Sequence, residues 1–151
     1  MKNEYYSIAL GDLEYLQATL HLPYYNNIAI AAQQVAEKML KSVVELSSVN
    51  CESLLRSHNL RALYDEAFKQ FSVSPVNRGD LSMLKDYYFD AKYPGDNFVN
   101  VTEAECEQCL TTMYDVIDFV HAARNKLGLD CVQVDRKLLK FSHSTAKLNV
   151  F

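Results

Sequence analysis

The stretch Asn27–Leu46, NIAIAAQQVAEKMLKSVVEL, decides the fold of this chain. Its apolar residues recur at spacings of three and four, which places them on one side of an α-helix with its period of 3.6 residues. They are Ile28, Ala32, Val35, Met39, Val43 and Leu46. The opposite side carries the polar residues Gln34, Glu37, Lys38, Lys41 and Glu45. A helix with one apolar side needs other amphipathic helices around it, so the stretch predicts a helical bundle.

Two local features of this helix can also be predicted. Glu37 lies four residues before Lys41, which is the favourable order for an ion pair on a helix. Asn26 or Asn27 can cap the first turn, because a short side-chain oxygen accepts a hydrogen bond from a free backbone N–H.

Composition supports the same class of fold. A chain of 151 residues predicts one domain, and only four glycines and three prolines favour long helices over a many-stranded sheet. The net charge of −4 excludes a strongly basic nucleic-acid footprint over the whole surface. The chain contains no apolar run long enough to predict a membrane span. Acidic residues interrupt the apolar N-terminal stretch, so this stretch does not have the pattern of a secretory signal. Four cysteines then predict reduced thiols in a cytoplasmic protein that needs no cofactor.

The first half of the chain contains two further helical stripes. A first helix is predicted from about Glu4 to Leu20, and Pro23 ends it because the residue before a proline is pushed out of the helical region. A third helix is predicted from the apolar stripe that runs from Leu60 to Phe71, and Ser57 can serve as its N-cap.

The second half predicts two more helices and a tail. Asp80 can cap a short fourth helix, and Thr102 opens the fifth with Glu105 three residues later, which is the capping-box pattern. Gly128 lies where a left-handed C-cap belongs. We therefore predict an all-α fold, an up-and-down antiparallel helical bundle of about five helices over residues 1–128. Residues 129–151 form a partly ordered C-terminal extension, with one or two helical turns at 136–141.

Three segments, in this order, resemble the HEPN domain family: AAQQVAEKMLKSVV (31–44), SHNLRALYDEA (57–67) and LKDYYFDAKYPGD (84–96). The last helix, EAECEQCLTTMYDVIDFV (103–120), fits the same template. The resemblance implies a helical bundle with an additional short helix, and frequent homodimerisation. Some members of this bacterial-type family are ribonucleases that carry an arginine, then four to six residues, then a histidine. Others lack that pair and bind nucleotides or protein partners, including minimal nucleotidyltransferases.

The chain departs from the ribonuclease pattern. Arg124 and Asn125 resemble the start of the motif, but no histidine follows at the required spacing. Arg136 and His143 have six residues between them, although they lie in the extension outside the matching segments. An enzymatic interpretation would need this pair to fold back onto a dimer groove, and substitution of His143 would then abolish cleavage. We therefore expect a non-catalytic module.

The ligand-binding hypothesis rests on four cations, two aromatic residues and a polar pair. Lysine supplies charge for a phosphate and arginine adds a planar fork, while tyrosine offers a face for a base. The predicted ligand-binding residues are Lys38, Lys41, His58, Arg61, Lys92 and Tyr93, with Asn59 beside His58 and Tyr88 as the alternative to Tyr93. Together these residues predict a locally positive cleft that binds a nucleotide, in an otherwise acidic protein that forms a homodimer. The alternatives are a solvated helix face or an adaptor that binds a nucleotidyltransferase through an apolar patch.

Cysteines and clustered carboxylates have simpler explanations. Cys106 and Cys109 form a C-x-x-C motif on a helix without the second pair that structural zinc commonly needs, so we expect buried thiols and no metal. Glu103, Glu105 and Glu107 lie at the start of the last helix, where they complement the helix dipole.

Overall fold

The structure, a computed structural model, describes residues 4–46, 51–95 and 98–139. These residues form six α-helices and no strand. The helices are α1 (Glu4–Ala18), α2 (Tyr25–Val44), α3 (Glu52–Leu55), α4 (Leu60–Gln70), α5 (Arg78–Asp90) and α6 (Glu103–Lys126). The predicted all-α bundle is confirmed, and α3 is an additional short helix. In this described part of the chain, no helix is long and apolar enough to span a membrane.

Helix α2 is the centre of the bundle, because it packs against α1, α4, α5 and α6. Its alanines Ala29, Ala32 and Ala36 are fully buried, and their small side chains allow neighbouring helices to approach closely. Larger side chains fill the space around them. The largest fully buried ones include Leu16, Leu20, Met39, Leu40, Leu63, Leu84, Met113, Tyr114 and Phe119.

Helices α4 and α5 run antiparallel. On α4 and α5, Asp65 pairs with Arg78 at 2.7 Å, and one turn further along Arg61 bonds to Ser82 at 3.2 Å. Residue numbers therefore fall on one helix as they rise on the other. These two contacts therefore lie one after the other along the α4–α5 interface, between the α4–α5 loop and the end of α4 that follows His58.

Asn26 joins the beginning of α2 to the segment before α6. Its side-chain oxygen accepts a hydrogen bond from the Val101 backbone N–H at 2.7 Å, and its amide donates to the backbone oxygens of Ala91 and Val99. The prediction that Asn26 or Asn27 caps α2 is therefore wrong, since α2 begins at Tyr25 and its N-cap position makes no side-chain cap bond. Asn26 serves a tertiary contact because three backbone groups from distant segments meet at its amide.

Two other predicted caps are displaced. The α4 cap is Asn59, whose side chain accepts from the Ala62 N–H, while Ser57 accepts from the Asn59 N–H. The α5 cap is Asn77, and Asp80 lies in the first turn, where its N–H donates to the Asn77 side chain. In both cases the asparagine stands at the last extended residue before the helix.

Both ends of α6 are confirmed as predicted. Thr102 and Glu105 form the capping box, each side chain accepting a hydrogen bond from the other residue's backbone N–H. Gly128 adopts the left-handed conformation, with φ of 71°, just after the helix.

The C-terminal extension packs on α1 and α6 as far as Leu139, which is fully buried. Residues 129–139 have no regular secondary structure, so the predicted helical turns do not form in their described part, and residues 140 and 141 lie outside the described residues. The side chains of Tyr6, Gln17 and Tyr114 hold its backbone at Val132, Asp135 and Lys137, respectively. These bonds replace the hydrogen bonds that a helix would make internally.

Candidate functional site

A buried carboxylate organises a polar cluster on α2. Glu37 Oε2 accepts from Lys41 Nζ at 3.1 Å, and Glu37 Oε1 accepts from Gln33 Nε2 at 3.1 Å. Nδ1 of His58, in the loop before α4, lies 2.8 Å from the same Oε1. We call these four residues the Glu37 cluster. Its carboxylate therefore has three polar partners.

The ion pair between Glu37 and Lys41 is confirmed, but its expected position on a solvent-facing side of α2 is wrong. Only 4% of the Glu37 side chain and 7% of the Lys41 side chain are exposed, and Gln33 is fully buried. These residues are spaced by four, so they form one row along α2. That row is covered because α2 has neighbours on several sides.

His58 connects the Glu37 cluster to the partly buried ring of Tyr88 near the end of α5. Its ring stacks on Tyr88, with 5.2 Å between ring centroids and 21° between planes, and 48% of its side chain is exposed. Lys92 Nζ lies 4.8 Å from the Tyr88 ring centroid and 5.4 Å from that of Tyr93. We call His58, Tyr88, Lys92 and Tyr93 the cation–aromatic patch.

Lys92 is the accessible positive charge of this patch. Its hydrogen bond to the Tyr88 hydroxyl raises the pKa of Lys92, so the ammonium is charged at neutral pH. Among the described residues it makes no ion pair with a carboxylate. The Tyr93 side chain beside it is half exposed. A cation and an open ring face can together contact an anion and a flat ring.

The structure does not gather all six predicted ligand-binding residues. Lys41, His58, Lys92 and Tyr93 belong to the connected cluster and patch, although Lys41 is buried and neutralised by Glu37. Lys38 instead pairs with Asp12 of α1, and Arg61 bonds to Ser82 of α5. The predicted cleft with four available cations therefore reduces to an exposed patch that carries one, Lys92.

The arginines considered for ribonuclease chemistry hold the C-terminal extension. Arg124 is buried, donates to the Asp130 backbone oxygen and lies 3.7 Å from the Tyr6 ring centroid. Arg136 pairs with Asp115 and Asp118 on α6. Both guanidinium groups are therefore engaged with protein groups. His143, the other member of the predicted pair, lies outside the described residues.

Cys106 and Cys109 are fully buried, as predicted for thiols in a helix seam. Burial raises the pKa of each thiol to about 12, so both remain protonated at neutral pH. No group of three or more histidine, cysteine or acidic residues suited to a metal ion occurs within residues 4–46, 51–95 and 98–139.

Sequence reasoning missed the central role of Glu37. The available signal was the row Gln33, Glu37, Lys41, in which hydrogen-bonding side chains recur every four residues. It also missed the contact of His121 with Tyr6, whose hydroxyl lies 2.9 Å from the imidazole Nε2. No local pattern could have revealed that contact, since the two residues are far apart in sequence.

A groove between α1 and α2 is a second surface feature. It contains two adjoining pockets of about 250 and 230 Å³, and Tyr15 and Ala31 line both. The Tyr15 side chain is 74% exposed, and Tyr24 at one end of the groove is 60% exposed. The first pocket has mainly apolar walls, and the second is bordered by the Asp12–Lys38 ion pair.

The geometry defines a helical bundle with a buried polar cluster beneath an exposed patch. The family model for the HEPN domain matches residues 3–126, which include all six helices and both polar features. The chain therefore belongs to the HEPN domain family. Searches of curated proteins and of solved structures found no match.

Proposed function

We propose that this HEPN domain is a non-catalytic module that binds a nucleotide or another phosphate-bearing ligand at the cation–aromatic patch. The observation that carries the proposal is the exposed ammonium of Lys92 beside the half-exposed ring of Tyr93. Lys92 would contact the phosphate, and Tyr93 would stack on a base. His58 would add a polar contact at the edge of the patch.

The patch suits a small anion better than a long nucleic acid. Its positive charge comes from the single lysine Lys92, while the chain as a whole carries a net charge of −4. Tight binding along a nucleic acid backbone requires many phosphate contacts from lysine or arginine. Lys38 and Arg61, which could have extended such a surface, are engaged elsewhere.

A thermal-shift titration against a panel of nucleotides tests this proposal. A ligand that binds only the folded state stabilises it by about 2.7 kcal/mol at one hundred times its dissociation constant. We expect a saturable shift that is lost in Lys92→Ala. Lys69→Ala is the matched control, because it removes an exposed lysine at the far end of α4. No shift with any nucleotide, or equal shifts in both variants, would contradict the assignment.

We further propose that the module forms a homodimer through the α1–α2 groove. The support is the pair of exposed tyrosines beside an apolar pocket, since aromatic residues are enriched at interfaces. The nearby Asp12 and Lys38 carry opposite charges. A two-fold axis could therefore place Asp12 of one protomer against Lys38 of its partner, and the reverse.

The same surface favours a second candidate function, an adaptor that binds a nucleotidyltransferase. Light scattering at several protein concentrations separates the two interpretations. A dimer that Tyr15→Glu dissociates, and Val132→Glu leaves intact, supports self-association. A monomer at every concentration would overturn the dimer, and binding to a nucleotidyltransferase encoded beside this chain would then support the adaptor.

A further inference from the structure

The imidazole of His58 has a defined tautomer. An ionised carboxylate only accepts hydrogen bonds, so Nδ1, at 2.8 Å from Glu37 Oε1, is the nitrogen that carries the proton. Lys41 and Gln33 hold the carboxylate from the other directions, and Tyr88 holds the plane of the ring. When this imidazole is neutral, its lone pair therefore lies on Nε2.

A carboxylate-held imidazole can ligate a metal, act as a base or act as a nucleophile. The described residues contain no set of three ligands for a metal. A base acts through a hydroxyl or water that it deprotonates, whereas a nucleophile needs only an accessible lone pair. With 48% of its side chain exposed, His58 can present Nε2 directly to an electrophile.

The neighbouring positive charge of Lys92 favours an anionic electrophile such as a phosphoryl group. Lys92 Nζ and the His58 ring both lie within 5.2 Å of the Tyr88 ring centroid. Lys92 is therefore the exposed cation that shares this tyrosine with the imidazole, and its flexible side chain would have to turn towards the oxygens of a phosphoryl group on Nε2. Its charge compensates for the negative charge that those oxygens carry.

We propose that His58 is a phosphoryl-acceptor residue, a role that rests on the proposed phosphate binding by Lys92. Nε2 attacks the phosphorus of a small acyl phosphate, the N–P bond forms, and the P–O bond to the acyl group breaks. The electron pair leaves with the carboxylate product. The imidazolium that results keeps its proton on Nδ1, where the Glu37 carboxylate stabilises it, as in other carboxylate–histidine pairs.

The test is incubation of the full chain with acetyl phosphate, followed by intact-mass measurement and peptide mapping. We expect the mass gain of one phosphoryl group, stable in alkali and lost in acid, at His58. His58→Asn abolishes it, whereas His21→Asn, which removes an exposed histidine outside the patch, retains it. Glu37→Gln lowers the initial rate at least tenfold while Lys69→Ala leaves it unchanged.

Binding and phosphorylation are separable in this experiment. Thermal shifts with a nucleotide report on the proposed binding function, and circular dichroism shows whether each variant is folded. A folded chain that shows a nucleotide shift but gains no phosphoryl group would overturn the acceptor role alone. A phosphoryl group found equally in His58→Asn, or on another residue, would also overturn it. Phosphorylation at His58 without any nucleotide shift would support the acceptor role and contradict the nucleotide ligand.

Discussion

Glu37 shows how a single residue can connect stability and function. Its carboxylate accepts from Lys41 and Gln33 and orients His58, which in turn stacks on Tyr88 of the exposed patch. Removing one partner of a buried ion pair leaves the other charge without compensation, and this is costly in a protein interior. Glu37 therefore supports the fold and the candidate site through the same two oxygens.

We predict that Glu37→Gln lowers the free energy of unfolding by about 3 kcal/mol, because it leaves the Lys41 ammonium buried without a counter-charge. Urea unfolding followed by circular dichroism measures this change. The double variant Glu37→Gln/Lys41→Met should recover much of the loss. The pair Glu66–Lys69, in which the lysine side chain is exposed and the glutamate partly so, gives the contrast, since Glu66→Gln should cost less than about 1 kcal/mol. Equal effects at both pairs would contradict the buried position of Glu37.

His121 makes the stability depend on pH. Burial, and then the nearby Arg124 charge, lower the pKa of His121 from its ordinary value of 6.5, and Asp118 opposes this effect. The unfolded state therefore binds more protons between the lowered pKa and pH 6.5. Stability contributed by the neutral imidazole is present above pH 6.5 and is lost as the pH falls through this window.

Urea unfolding of the wild type and His121→Gln across that window tests the sign. We predict that the free energy of unfolding of the wild type rises more steeply with pH, because glutamine does not titrate. Parallel curves would show that His121 is not the group responsible.

At the scale of elements, the helix ends depend on single capping residues. Asn59 rather than Ser57 accepts the hydrogen bond from the first turn of α4. The choice of cap matters for the site, because His58 lies directly before this residue and the cap sets where the helix begins. The predicted capping box of α6, by contrast, forms as expected because Thr102 and Glu105 are partners within one turn.

We predict that Asn59→Ala lowers the free energy of unfolding by about 1 kcal/mol, which is typical for loss of an N-cap. Ser57→Ala should lower it by less, because the one hydrogen bond that Ser57 accepts comes from the Asn59 N–H outside the helix. Thermal or urea unfolding of both variants measures the difference. A larger loss of stability in Ser57→Ala than in Asn59→Ala would show that Ser57 is the N-cap, as the sequence pattern predicted.

For the whole molecule, long-range polar contacts hold the segments in register. Asn26 bonds to three backbone groups that precede α6 or follow α5. The C-terminal extension is held by the side chains of Tyr6, Gln17 and Tyr114. The sequence-based boundary at residue 128 therefore marks the end of the helices, while the packed structure continues to Leu139.

We predict that Asn26→Ala lowers the free energy of unfolding by about 2 kcal/mol, because it leaves backbone groups without their partners. Asn27→Ala is the matched control, as Asn27 is the exposed neighbour on the same helical turn. Its expected effect is below about 0.5 kcal/mol. Equal losses would indicate that helix propensity, rather than the tertiary contact, accounts for the effect of Asn26.

The sequence by itself determined that the five longer segments are helical and how α6 begins and ends. Those features depend on a repeat of 3.6 residues and on partners within one turn, as at Thr102 and Gly128. It also placed Glu37 and Lys41 together, since they are one turn apart. Only the tertiary structure decided that this pair is buried and that Lys38 turns to Asp12 on another helix. The physical reason is that solvent exposure and charge pairing depend on which distant helices cover each face of α2.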